Sequence, residues 1–201
     1  MKFPLLLSLL ALLLAGSCGK SRGPDIGRSG SVCGGRDIIG QMIAPIDGPG
    51  SCGIDRPVKL YSVAGVSLSQ HATVRCETAR ALGKWIRRGI KPAIGRTGGG
   101  VEELRVASHY ACRSRNSRRG AKLSEHARGN AIDVSAFVLR NGSEISVERD
   151  WGRGKYGRIL KQIHRSACGP FGTVLGPNSD RHHRDHFHGD VARYGNGNYC
   201  R

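Results

Sequence analysis

The sequence predicts an α+β domain in which helices pack on one side of a small antiparallel sheet. Several short segments are rich in β-branched and other apolar residues, as strands are. The pair Asn141-Gly142 is a strong hairpin-turn signal. Two longer segments place apolar residues at helical spacing. The length of 201 residues suits one domain, and the sequence shows neither an internal repeat nor a second domain.

The first half of the domain is predicted to form two strands and a helix. Residues 58–63 have the pattern of a short strand, and Gly65 marks a turn into a second short run. We expect a helix over residues 70–88, because Ser69 can cap its start and Gly89 can end it. Its apolar positions at helical spacing are Ala72, Cys76, Ala79, Leu82 and Ile86.

The second half is predicted to add a second helix and further strands. Residues 154–167 predict the helix, since Tyr156, Ile159, Leu160 and Ile163 share one face. The predicted strands are residues 104–108, 130–139, 143–147 and 185–193. Residues 113–124 are expected to form a polar loop.

The N-terminus predicts export and a lipid anchor. Lys2 begins a short basic segment, the apolar run 5–14 is too short to span a bilayer as a mature helix, and small residues precede Cys18. Residues 1–17 therefore predict a signal peptide. Cys18 predicts a lipidation site in a lipobox, and a plain secretory signal is the alternative. We expect a periplasmic or cell-envelope protein that is anchored in the membrane through this lipid.

The cysteine count agrees with an exported, disulfide-braced domain. Lipidation of Cys18 leaves six of the seven cysteines, which can form disulfides in an oxidising periplasm. The candidates are Cys33, Cys52, Cys76, Cys112, Cys168 and Cys200, and their pairing cannot be read from the sequence. Residues 18–49 predict a flexible tether and residues 50–201 the domain, with residues 33–56 irregular because they are rich in Gly and Pro.

The net charge of +17 allows two kinds of anionic partner. An exported protein can use such a charge near lipid head groups and cell-wall polymers. A nucleic-acid binder would also be basic, but the basic residues are spread along the chain without interleaved aromatics, and no nucleic-acid module is recognisable. We therefore expect no nucleic-acid partner. The oligomeric state is open.

Two segments carry residues that suit a divalent metal ion. His126 is followed by Asp133, and residues 182–188 contain four of the eight histidines. In a strand, His186 and His188 would point to the same face. Imidazoles beside a carboxylate suit zinc. The alternatives are a His-rich surface turn that binds metal only incidentally, and an Asp133 that lies on the exposed face of its strand.

The order and spacing of these residues resemble the signature of the LAS metallopeptidases, a class named for lysostaphin, D-alanyl-D-alanine peptidases and sonic hedgehog. The stretch from Ser124 to Asp133 looks like the D-alanyl-D-alanine carboxypeptidase branch. Residues 50–201 resemble, more narrowly, the bacterial extensin-like C-terminal domain family. The further matching segments are residues 52–54, 57–58, 72–76, 110–113, 150–151, 167–168, 174–177 and 200–201. The resemblance implies a LAS/hedgehog-type zinc peptidase fold.

The resemblance also implies the composition of the site. One zinc ion would be bound by His126, Asp133 and His188, with a fourth position left for water whose pKa falls to about 7. Asp185 would be the general base that moves a proton from water to the leaving amine. His186 would stabilise the oxyanion or orient the base. The strand prediction puts Asp185 and His188 on opposite faces, so we expect an irregular chain at Asp185.

Three further residues receive roles from the resemblance. Arg113 would hold a substrate carboxylate through two hydrogen bonds, and its alternative is an ordinary surface arginine. Ser124 and His183 are expected to support the ligands rather than bind the metal. The remaining histidines, expected to be structural or on the surface, are His71, His109, His164 and His182.

These expectations favour a zinc-dependent peptidase, a carboxypeptidase or endopeptidase, that acts on the stem peptides of peptidoglycan. The alternative is a cell-envelope binding protein that contains zinc without catalysis. A carboxylate at the general-base position, which Asp185 provides, favours the enzyme.

Overall fold

The computed structural model describes residues 26–195 and 197–201. The strands are β1 (Ser29–Ser31), β2 (Ile38–Met42), β3 (Ile46–Asp47), β4 (Gly53–Ile54), β5 (Pro57–Val63), β6 (Val66–Arg75), β7 (Val101–Ser108), β8 (Ala131–Leu139), β9 (Glu144–Ser146), β10 (Thr173–Leu175), β11 (Phe187–Asp190) and β12 (Tyr199–Cys200). The α-helices are α1 (Cys76–Trp85), α2 (Lys91–Ile94), α3 (Val147–Asp150) and α4 (Gly154–Ala167), and a π-helical segment Ile86–Ile90 joins the first two. Short 3-10 helices cover Thr97–Gly99, Arg115–Ser117 and Glu125–Arg128.

The main sheet is larger than the sequence predicts and is mixed rather than antiparallel. Ten strands take part, in the order β1-β2-β5-β6-β7-β8-β11-β10-β12, and β9 pairs with β8 off this path. The pairs β6–β7 and β10–β12 are parallel, and the other pairs are antiparallel. The α+β class is confirmed, whereas the small antiparallel sheet is corrected to a ten-stranded mixed sheet.

The core lies between the sheet and the helical segment that runs from α1 through the π-helix, together with α4. Trp85 is 2% exposed and contacts Phe137 and Phe171 edge to face. Its indole Nε1 donates a hydrogen bond to the Ile163 carbonyl of α4 at 2.9 Å, which satisfies the one polar atom of a buried ring. β8 is buried on both faces, as expected of a strand in the middle of a covered sheet.

The prediction of a helix over residues 70–88 is wrong for residues 70–75. Residues up to Arg75 continue β6, and α1 begins only at Cys76. Ala72 and Val74 are both fully buried, which is the period of two that a strand shows. Ser69 does not cap a helix, since its Oγ accepts a hydrogen bond from the Val106 amide of the neighbouring β7. Ala72 fits both the helical spacing with Cys76 and the strand period with Val74, and the pairing of residues 72–75 with β5 selects the strand.

The domain begins earlier than residue 50. Residues 29–31 and 38–42, which the sequence assigned to a flexible tether, form the first two strands of the main sheet. Val32 and Ile38 are buried in the core, which corrects both the tether boundary and the irregular structure expected there. The predicted signal peptide 1–17, the predicted lipidation site Cys18 and the predicted tether up to residue 25 lie outside the described residues.

The other predicted elements are largely confirmed. β7, β8, the β8–β9 hairpin and α4 lie where the sequence predicts them. The last predicted strand, residues 185–193, is reduced to β11, and the chain at Asp185 is a bend, as the resemblance required. The short strands β10 and β12 were not predicted. None of the helices in the described part of the chain has the length and apolarity that crossing a membrane requires.

Three disulfides join all six candidate cysteines. The pairs are Cys33–Cys76, Cys52–Cys112 and Cys168–Cys200. The first ties the N-terminal strands to the start of α1, and the third ties the C-terminal strand to the end of α4. Such crosslinks stabilise the fold chiefly by restricting the unfolded chain.

Candidate metal centre

A short 3-10 helix presents His126. Ser124 precedes this helix, and its Oγ accepts a hydrogen bond from the His126 amide, so the predicted support by Ser124 acts on the backbone. Gly129 ends the helix in the left-handed conformation, which returns the chain directly into β8. The His126 side chain is 1% exposed and therefore fixed within the domain.

Two neighbouring strands present the other two predicted ligands. Asp133 on β8 lies directly opposite His188 on β11 in an antiparallel pair. Opposite residues of such a pair place their side chains on the same face. Both side chains are buried, so each needs a polar or charged partner.

The three side chains converge on one point. His126 Nε2 lies 3.1 Å from Asp133 Oδ2, His188 Nδ1 lies 2.8 Å from Asp133 Oδ1, and the two ring nitrogens are 3.2 Å apart. Ligands that lie about 2.1 Å from a tetrahedral ion are about 3.4 Å from one another. The cluster could therefore hold a metal ion, with one ligand atom from each residue and all of them within 4.8 Å of one another.

Hydrogen bonds on the outer side of each ring orient the histidines toward this point. His126 Nδ1 donates to the His109 carbonyl at 2.6 Å, so Nε2 of that ring faces the cluster. His188 Nε2 contacts Asp190 Oδ2 at 3.0 Å, so Nδ1 of that ring faces the cluster. Metal-binding histidines characteristically use the outer nitrogen in this way, which fixes the tautomer.

Without a metal ion, the same residues form a buried ion-pair network. Burial opposes protonation of His188, but hydrogen bonds and the negative charges of Asp133 and Asp190 raise its pKa to about 9. Burial alone would raise the pKa of Asp133, but the hydrogen bonds from His126 and His188 hold this pKa far below the usual range. A divalent cation would replace the proton on His188 as the partner of this carboxylate.

Of the two predicted acid–base residues, His186 lies next to the cluster and Asp185 lies behind it. His186 Nε2 is 3.7 Å from Asp133 Oδ2, and its Nδ1 lies 2.7 Å from Asp185 Oδ1. The Asp185 side chain is 64% exposed and does not line the cavity next to the cluster. Asp185 therefore reaches the cluster through the His186 ring rather than directly.

The His183 ring packs against the rings of His186 and His188. Its ring centroid is 5.2 Å from that of His186 and 5.8 Å from that of His188. His183 Nδ1 contacts Asp180 Oδ1 at 2.9 Å. Burial is the main reason that its pKa lies below the usual value. The ring packs against a predicted ligand without joining the three-residue cluster, as expected of a supporting residue.

A cavity of about 830 Å³ opens in front of the cluster. This volume exceeds what one ion needs and falls in the range of ligand pockets. Arg113 lines the cavity, as the predicted carboxylate-binding role requires, and Tyr194 contributes to its wall. His182, expected to be an ordinary histidine, also lines it.

Two contributors to the site were not predicted. Asp190 follows His188 by two positions in the same strand, so strand alternation could have identified it as a neighbour of the ligand. His109 was expected to be structural, and it contributes its backbone carbonyl. A backbone acceptor leaves no signal in residue identity.

We expect Gly129→Ala to lower the free energy of unfolding by about 2 kcal/mol. Gly129 has φ +66°, and an added Cβ would collide with the Ile54 side chain. The matched control is Gly142→Ala, which has φ +82° with open space around the Cβ, and it should cost about 1 kcal/mol. Urea unfolding of both variants measures the difference, and equal losses would contradict the packing argument.

One of three comparisons with known proteins found a match, and that match covers most of the described domain. The family described as Extensin-like protein C-terminus matches residues 36–201, which include every residue of the cluster and the first core strand β2. Searches of curated proteins and of solved structures found no match. Because the family match covers most of its length, the chain belongs to the extensin-like protein C-terminal family.

Proposed function

We propose that this protein is an exported zinc-dependent peptidase that hydrolyses amide bonds in the stem peptides of peptidoglycan. The observation that carries the proposal is the convergence of His126, Asp133 and His188 at the wall of a cavity large enough for a peptide. Both rings already have their outer nitrogens bound to acceptors. Such a preset arrangement suits an ion better than an incidental surface cluster.

Zinc fits this donor set best. Two imidazole nitrogens and one carboxylate are typical ligands of catalytic zinc sites, which keep a further position open. When bound, zinc polarises a carbonyl group and lowers the pKa of coordinated water to about 7. The cavity provides the space from which water and substrate would approach.

The protein's own residues supply proton transfer and substrate positioning. The His186 ring faces the cluster, and the Asp185 carboxylate hydrogen-bonds to its far nitrogen. In this pair, Asp185 stabilises the charge on His186 while the ring takes a proton from water and passes it to the leaving amine. Arg113 lines the same cavity and can hold a substrate carboxylate through two hydrogen bonds.

The choice of stem peptides rests on context rather than on geometry. The resemblance to LAS-type D-alanyl-D-alanine peptidases supports an amide bond next to a D-amino acid. The N-terminal sequence supports export, with Cys18 as the lipid anchor, so the substrate would be met in the periplasm. The cluster itself argues only for metal-assisted hydrolysis.

A second function has one observation in its favour. Asp185, the predicted general base, does not line the cavity next to the cluster. A cell-envelope binding protein that contains zinc for structure or recognition would need no general base there. Muropeptide cleavage measured together with zinc content separates the two functions.

We expect the full-length protein, loaded with zinc, to cleave muropeptides, and Asp185→Asn to reduce cleavage by about 100-fold while retaining zinc. Mass analysis of the products identifies the bond, and metal analysis gives the zinc content. The control is Asp55→Asn, the same change at an exposed carboxylate, which should keep full activity. If the wild type holds zinc and leaves every muropeptide intact, the binding function replaces the enzyme.

A further inference from the structure

The helices that cover the sheet carry a concentration of positive charge. In the segments 76–94 and 147–167, eleven residues are Lys or Arg and three are Asp or Glu. α4 itself contains no acidic residue. Four cations of this helix are exposed, namely Lys155, Arg158, Lys161 and Arg165. None of the four has a hydrogen bond or an ion pair through its side chain in the described part of the chain.

The spacing of these four residues places them on one side of α4. At 3.6 residues a turn they fall within an arc of about 120°, and Lys155 lies about 15 Å along the helix axis from Arg165. The opposite side of the helix packs into the core through Ile159, Leu160 and Ile163. α4 therefore presents a row of cations to solvent, and its apolar residues are already used by the fold.

The neighbouring helical segments add more positive charge to this surface than negative. Gly89 of the π-helical segment lies so close to Ser166 of α4 that an added Cβ would collide with the serine side chain. Arg88, the residue before this contact, is exposed and has no side-chain partner among the described residues. The nearby carboxylates are Glu148 and Asp150 of α3, which precede α4 and lie at one end of the row.

The cationic row and the metal cluster lie on opposite faces of the main sheet. Phe187 and His188 are consecutive residues of β11, so their side chains point to opposite faces. The Phe187 ring packs against the His164 ring of α4, with 5.1 Å between the ring centroids, whereas His188 lines the cavity. A divalent ion in the cluster would add positive charge on the far face and leave the charge of the row unchanged.

We propose that the cationic row of α4 is a docking surface for a bilayer that contains anionic phospholipids. Each Lys or Arg close to such a bilayer adds to an electrostatic attraction that fades within about 10 Å at 0.1 M salt. A row of unpaired cations along a helix on the outside of the domain can approach a flat surface over its whole length. Because the apolar side of α4 is buried, the contact is electrostatic and the helix does not insert into the bilayer.

Two observations favour a bilayer over a nucleic acid or a cell-wall polymer. The large apolar side chains that the described residues expose, Ile26, Tyr194 and Tyr199, all lie outside α4, so the row has no exposed ring on which a base or a sugar could stack. Contact through α4 also leaves the cavity open on the far face of the sheet. The predicted lipid on Cys18 would hold the domain near the same surface. The docking surface shares no residue with the metal cluster and does not depend on the proposed peptidase activity.

The test measures the partition of the full-length chain onto vesicles, with Cys18→Ser to prevent lipidation. One set of vesicles is pure phosphatidylcholine, and the other contains phosphatidylcholine and phosphatidylglycerol in equal parts. We expect tighter binding to the second set. The triple variant Lys155→Gln/Arg158→Gln/Arg165→Gln should lower the partition coefficient on the anionic vesicles about 100-fold and leave that on the neutral vesicles unchanged.

The matched control is Arg118→Gln/Arg119→Gln/Lys122→Gln, which removes the same three charges from the exposed loop on the cavity side of the sheet. This control should lower the partition coefficient by about threefold, because the loop is separated from the bilayer by more than one Debye length. Glutamine is a good helix former, so the α4 variant should fold, and urea unfolding checks this. The double variant Arg158→Lys/Arg165→Lys should bind as the wild type does, because the attraction depends on charge rather than on guanidinium geometry.

Equal partition of the wild type onto both sets of vesicles, or an equal loss in the two triple variants, would overturn the docking surface. If the α4 variant instead loses binding to isolated peptidoglycan sacculi and keeps binding to anionic vesicles, the row belongs to an anionic polymer and the bilayer is wrong. Cleavage of soluble muropeptides is measured separately and should be the same in the α4 variant and the wild type. Failure of the docking surface and failure of the peptidase are therefore distinguishable.

Discussion

Asp133→Asn is expected to abolish tight metal binding and to reduce any hydrolytic activity to background. Asp133 contacts both histidines of the cluster, at 3.1 Å and 2.8 Å, and supplies its single anionic ligand atom. An asparagine in the same rotamer offers a neutral oxygen on one side and an N–H donor on the other. That donor would face a ring nitrogen or the cation, and two imidazoles without a carboxylate bind zinc weakly.

Metal analysis after equilibrium dialysis measures this effect, and we expect the affinity to be about 1,000-fold weaker. The control is Asp37→Asn, which makes the same chemical change at an exposed carboxylate paired with Arg87. That control should bind metal as the wild type does. Retention of one tightly bound ion by Asp133→Asn would show that the ion binds without this carboxylate, and would contradict the three-residue cluster as the metal site.

The sequence predicts this cluster because residue chemistry and spacing carry its signal. A histidine before a turn, a carboxylate within an apolar strand and a histidine in a second strand are each visible along the chain. Their meeting depends on the pairing of β8 with β11, in which Asp133 faces His188. Local sequence does not specify that pairing, and only the resemblance indicated it.

The predictions that the structure corrects also have specific physical causes. Ala72 fits the helical spacing with Cys76 and Ala79 as well as the strand period with Val74, and the pairing of residues 72–75 with β5 selects the strand. The N-terminal strands are short and rich in Gly, so their propensity is weak. They are held in the sheet by long-range contacts, among them the Cys33–Cys76 disulfide. The general-base role of Asp185 is predicted from its position three residues before His188. Position along the chain does not show that the Asp185 side chain points at His186.

The metal-free protein should lose stability as the pH rises from 6.5 to 9. The pKa of His188 is about 9 in the folded protein and 6.5 for an ordinary histidine, since Asp133 and Asp190 stabilise its charged form. A group whose pKa is raised by folding stabilises the fold fully below the unfolded pKa, and this contribution disappears as the pH passes the folded pKa. The difference corresponds to about 3 kcal/mol. Asp133 contributes a pH dependence of the opposite sign. Its lowered pKa stabilises the fold at neutral pH, and this stabilisation is lost in acid.

Bound metal should remove this loss, because the ion takes the place of the His188 proton and its affinity rises with pH. Unfolding by urea, followed from pH 6 to pH 10 with chelator and with zinc, should give two curves that separate as the pH increases. His71→Ala, which removes an exposed histidine of β6, should keep the alkaline loss, whereas His188→Gln should abolish it. A metal-free curve that stays flat over this range would contradict the charged His188–Asp133 pair and, with it, the idea that a proton holds the place of the cation.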